Sequence, residues 1–60
     1  MKEITDDVIK QIHRNLRAFG YAQLTIDHVR EEVSHLKEGQ KPAGIIGMFA
    51  EQMLKNNGYL

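Results

Sequence analysis

The chain has 60 residues, of which eight are basic, eight acidic and none cysteine. Formal neutrality argues against general nucleic-acid binding through phosphates, which usually brings a basic excess. The lack of thiols excludes disulfides and thiolate metal sites. A chain this short allows one domain, residues 1–60, with a core near the lower limit of self-sufficiency, so its stability has to come from helix packing or from a second chain.

The longest apolar stretch, 43–50, is far too short to cross a bilayer, and Glu3, Asp6 and Asp7 stand where a secretory leader would be basic and then apolar. The expectation is a cytoplasmic protein. Because the chain opens with Met1 and closes on a helix-capping pattern, it also reads as a complete small protein.

Ile4-Thr5 pairs an apolar residue with a threonine cap, a combination that opens a helix when the apolar residue staples onto Ile9. The first helix is expected over about 6–19. Ile4, Val8, Ile12, Leu16 and Phe19 recur at helical spacing as its core stripe, with Ile9 beside them. Asp6 and Asp7 at its start and Arg14 and Arg17 near its end suit the helix dipole. His13 has no acidic partner at helical spacing and belongs at the edge of the helix interface.

Leu24-Thr25 repeats the opening pattern, with Val29 as staple partner, and the second helix is expected over about 26–38. Its stripe of Ile26, Val29, Val33 and Leu36 is narrow, and Gly39 ends it. The third helix is expected over about 42–57, with Pro42 at its first position. Ile45, Ile46, Phe49 and Met53 fill one face. Ala43, Met48, Ala50 and Leu54 widen the apolar arc to on the order of 240°, where a surface helix needs about 100°. The third helix is therefore either the central element of the bundle or shared with another chain.

Leu16-Arg-Ala-Phe-Gly20-Tyr21 and Leu54-Lys-Asn-Asn-Gly58-Tyr59 are two copies of one helix-ending pattern. In each, glycine adopts the left-handed conformation and the tyrosine folds back onto the leucine five positions earlier. Short connections force consecutive helices to pack as neighbours, so the fold class is all-α, a compact three-helix bundle.

Four features raise specific chemistry. His28, Glu31, Glu32 and His35 share helical spacings that could hold a metal, and Glu32-Val-Ser-His35 has the Glu-x-x-His spacing of carboxylate-bridged di-iron bundles. Such a site needs two of these motifs and further glutamates. Weak pairs, His28 with Glu32 and Glu31 with His35, on a solvated face are the plainer expectation, so no metal or cofactor is assigned. The single serine, Ser34, lies next to the charged face of the second helix, His13 has no serine or cysteine near it, and no nucleophile and base pair can be drawn; no catalytic residue is assigned.

Gly44-Ile-Ile-Gly47 is similar to the GxxG loop of KH domains, but no strand alternation surrounds it. Its two glycines imply close approach by the first helix or by a partner helix, or else a pliable first half of the third helix that serves as a flexible recognition segment. Lys10, Arg14 and Arg17 form a basic stripe that supports an alternative DNA-binding or transcription-regulating reading. The third helix, however, offers no arginine, lysine, asparagine or glutamine in its first two turns to reach a base edge.

Phe19-Gly20-Tyr21, followed by a short helix and a more apolar third one, resembles the ubiquitin-associated domain, a three-helix bundle with a Met-Gly-Phe-type loop after its first helix. The resemblance implies a compact shape that presents this loop and the third helix to a protein partner. Phe19 stands in place of the family's methionine and the second helix is longer, so ubiquitin binding is not carried over. The expected function is a non-enzymatic protein–protein interaction module, with homodimerisation its simplest form. Its contact residues are Ile45, Met48, Phe49, Met53, Leu54 and Tyr59.

Overall fold

A computed structural model describes residues 2–60; Met1, with which the chain opens, lies outside the described residues. Three helices, α1 (Asp6–Ala18), α2 (Ile26–Lys37) and α3 (Ile45–Asn56), make up a three-helix bundle, and no strand occurs among the described residues. The expected limits of the first two helices hold to within a residue. α3 starts three residues later than expected.

All three helices end in the same way. Gly20, Gly39 and Gly58 take positive φ, and each N–H donates to the carbonyl three residues back, on Arg17, Leu36 and Lys55 respectively. The following residue donates five back, from Tyr21 to Leu16, Gln40 to His35 and Tyr59 to Leu54. This is the Schellman pairing, and the left-handed backbone it requires carries no steric penalty only for glycine. At α1 and α3 the tyrosine that follows is half-buried against the core, whereas α2 makes the hydrogen bonds with the polar Gln40 and seals nothing.

The helix starts are less uniform. Thr25 accepts a side-chain hydrogen bond from the His28 N–H at 3.2 Å, whereas Thr5 makes no such bond and contributes only its carbonyl, to the Ile9 N–H. Ile4 and Leu24, the two expected staples, are half-buried against the core. His13 Nε2 donates to the Leu24 carbonyl at 2.6 Å, which ties α1 to the loop entering α2. Arg30 of α2 reaches Asp6 of α1 at 3.5 Å and Asp27 at 2.9 Å. These pairs are well exposed and set orientation more than stability.

The core consists of Ile9, Ile12 and Leu16 from α1, Val29, Val33 and Leu36 from α2, and Ala50 and Leu54 from α3. α2, the helix with the narrow stripe, packs most extensively on both partners, and the α1 to α3 contact is the weakest. α3 is thus not the central element. Gly47 of α3 is buried where the Glu32 side chain of α2 and Pro42 of the linker meet it. A Cβ built there would lie 3.0 Å from Glu32 Oε2 of α2 and 3.2 and 3.3 Å from Cβ and Cα of Pro42.

The close approach expected near Gly44-Gly47 is therefore made by α2 and by the linker at Gly47, and not by α1; Gly44 has open space around it. The same contact explains the late start of α3. Pro42 doubles back onto Gly47, leaving residues 42–44 outside the helix, and the first α3 hydrogen bond runs from the Met48 N–H to the Gly44 carbonyl at 2.8 Å.

Gly47→Val should lower stability by about 1–2 kcal/mol, because the branched side chain has to displace Glu32 and Pro42 together, an overpacking cost that outweighs its helix propensity. Urea unfolding followed by circular dichroism measures this; an increase in stability would show that α2 and α3 do not meet at this point.

Candidate protein-interaction surface

Because α3 turns Gly47, Ala50 and Leu54 inward, its buried face is made mainly of small residues. Its large apolar side chains consequently lie to the side or outside. Ile45 is 63% exposed and Met48 59%, while Ile46, Phe49 and Met53 are half-buried around the core margin. The stripe of Ile45, Ile46, Phe49 and Met53 expected to face the core is rotated from that position. Leu54, expected as a contact residue, is fully buried at 1% exposure and belongs to the core.

The remaining sequence-predicted contact residues separate in the same way. Tyr59 is half-buried, closing the α3 cap beneath the Lys2 ammonium, which sits 5.4 Å from its ring centre. Met53 is turned toward α1, where its sulfur accepts from Asn15 Nδ2 at 3.7 Å. Ile45, Met48 and Phe49 remain as outward contact area.

Phe19 joins them. Expected to end the α1 core stripe, it is instead 74% exposed, and its ring lies 6.0 Å from that of Phe49 at a tilt of 42°. The reason is local. Phe19 and Tyr21 flank one capping glycine, and the Schellman turn folds back the residue after glycine, so Tyr21 takes the place over Leu16 and Phe19 is left outside. This much could have been read from the sequence, since only one of two aromatics around a capping glycine can seal the helix.

The result is a connected apolar surface across two helices. Phe19 meets Phe49, which neighbours Ile45 at i−4, and Ile45 neighbours Met48 at i+3. Asn15 and Ala18 on α1 and Gln52 and Asn56 on α3 lie beside it, the last two joined by a 2.9 Å hydrogen bond, and Glu51, at i+3 from Met48, brings charge to its edge. Where charge begins, on the far side of Met48, Glu51 and Lys55 lie 3.9 Å apart.

The other expected features stand elsewhere. Lys10, Arg14 and Arg17 are exposed on α1, and among the described residues none of them forms an ion pair. His28 lies 3.8 Å from Glu32, as expected, but no ion pair joins Glu31 and His35 among the described residues. No group of three or more His, Cys, Asp or Glu side chains is arranged to hold a metal ion among the described residues.

Two shallow hollows flank Tyr59. One of about 50 Å³ lies between α1 and α3 beside Val8, Gln11 and Met53, and one of about 160 Å³ lies beside Lys2, Glu3 and Lys37. Both are well below the roughly 300 Å³ of a small-molecule site. No helix among the described residues is long and apolar enough to cross a membrane.

Comparison of the chain with protein-family models, with curated proteins and with solved structures finds no match.

The different positions of Met48 and Leu54 separate surface from core by experiment. Leu54→Ala should cost about 2–5 kcal/mol, comparable to the whole stability of a domain this size, and abolish a cooperative melt. Met48→Asp should leave helix content intact and shift stability by no more than about 0.5 kcal/mol. Thermal melts of both variants test this, and equal damage from the two would contradict the placement of Met48 outside the core.

Proposed function

We propose that this protein is a small, non-enzymatic protein–protein interaction module of the cytoplasm, docking its partner on the surface formed by Phe19, Ile45, Met48 and Phe49. One observation carries the reading: large apolar side chains from two helices lie together on the outside, in a chain too short to spare apolar area from its core. Apolar patches of this kind on small proteins are commonly binding sites. Methionine and phenylalanine suit such a site, the first by adaptable packing and the second by large area at low entropy cost.

The second reading, DNA binding through Lys10, Arg14 and Arg17, is favoured by the exposure of all three and by the lack of an ion pair to any of them among the described residues. Its weakness is chemical. Three cations supply phosphate contacts without base readout, and the outward residues at the start of α3, Ile45 and Met48, offer no hydrogen-bond donor to a base edge.

One cross-linking experiment separates the two. A photoreactive benzoylphenylalanine at position 48 should give a discrete protein adduct in cells, and the same group at position 14 should give none. An adduct to nucleic acid from position 14, with nothing from position 48, would overturn the interaction reading in favour of DNA binding.

A further inference from the structure

The chain has no cysteine, so methionine thioethers are the only sulfur groups that an oxidant can meet. Met48 and Met53 stand in opposite surroundings. Met53 is half-buried at the core margin between α1 and α3, beside Val8 and Leu54, and its sulfur accepts from Asn15 Nδ2 at 3.7 Å. Met48 is 59% exposed, and among the described residues no hydrogen bond reaches its sulfur. Oxidation of a thioether needs a sulfur lone pair that the oxidant can reach, so exposure decides which of the two reacts first.

We propose that Met48 is a site of reversible oxidation that turns the docking surface off. The effect on docking rests on the interaction reading above, whereas the reactivity of Met48 does not. With a peroxide as oxidant, the sulfur lone pair attacks one peroxide oxygen and the O–O bond breaks. That oxygen stays on sulfur, and the other takes a proton and leaves as water or an alcohol. Sulfur loses two electrons and the peroxide gains them. A thiol-dependent sulfoxide reductase reverses the step: two thiols become a disulfide, and the oxygen leaves as water.

The sulfoxide changes what this surface can bury. It is polar where the thioether is apolar, and its oxygen needs a hydrogen-bond donor once a partner excludes water. None stands ready on α3. Ile45, at i−3, has no side-chain donor; ionised Glu51, at i+3, only accepts; and Gln52, at i+4, donates to Asn56 at 2.9 Å. Because Met48 lies outside the core, the added oxygen leaves the fold intact. At Met53 the same oxygen would enter the margin between α1 and α3, the least extensive of the helix contacts.

Peptide mass spectrometry of the purified protein during treatment with hydrogen peroxide tests the reactivity. Met48 should gain oxygen at least about fivefold faster than Met53, with circular dichroism unchanged when only Met48 has reacted. Oxidation of Met53 at an equal or greater rate overturns the proposal. The effect on docking is read in cells with benzoylphenylalanine at position 52, which leaves Phe19, Ile45, Met48 and Phe49 in place. Brief peroxide treatment should lower its protein adduct about tenfold, the cost of one unpaired buried acceptor, and Met48→Leu should keep the adduct with and without peroxide. An adduct that persists while Met48 is oxidised, or that falls equally in Met48→Leu, overturns the proposal and leaves the interaction reading standing. If untreated cells give no adduct from position 52 or from position 48, the interaction reading falls and the proposal with it.

Discussion

The crowding of Gly47 by the Glu32 carboxylate of α2 and by Pro42 of the linker is the constraint from which most of the structure follows. A side chain at that position would meet the Glu32 carboxylate and the Pro42 ring at 3.0–3.3 Å. The face that α3 turns inward here is made of small residues, Gly47 and Ala50, both buried. The rotation of α3 about its axis is then set. Ile45 and Met48 are carried outward, and Phe49, with Ile46 and Met53, lies half-buried at the core margin.

The caps set the outer limits of this arrangement. Three glycine-ended helices stop at defined residues, and the tyrosines after two of those glycines close the ends of the core over Leu16 and Leu54. α2, whose cap has no apolar seal, is held instead along its length by contacts to both other helices. The His13 to Leu24 hydrogen bond and the Arg30 bridge between Asp6 and Asp27 fix α1 on α2 from the other side. α1 and α3 are left as the loosest pair, and the apolar surface lies across them.

Much of this was legible in the sequence, because helix limits depend on local chemistry. Thr5, Thr25, Gly20, Gly39 and Gly58 mark starts and stops through backbone hydrogen bonds that need nothing from the rest of the chain. The excess apolar arc of α3 was legible too. Which part of that arc faces inward was not, because hydrophobicity ranks isoleucine above glycine while close helix packing ranks them the other way. Leu54, read from the sequence as a contact residue, lies inside, while of the stripe expected to face the core Ile45 lies outside and Ile46, Phe49 and Met53 are half-buried against it. The periodic pattern that puts Phe19 in the core runs one residue past the point where the helix ends. The fixed backbone angle and missing N–H of Pro42 suit a helix-opening position, and no local signal shows that it folds back on Gly47.

The rotation of α3 is the claim on which the functional reading depends, and it can be measured directly by NMR. A soluble paramagnetic agent, added to dilute protein, broadens signals according to their exposure. The methyl groups of Ile45 and Met48 should broaden strongly, while those of Leu54 and the α-protons of Gly47 should stay sharp. Protected methyl groups on Ile45 and Met48 together with an accessible Gly47 would mean that α3 buries its large residues after all, and would contradict the account.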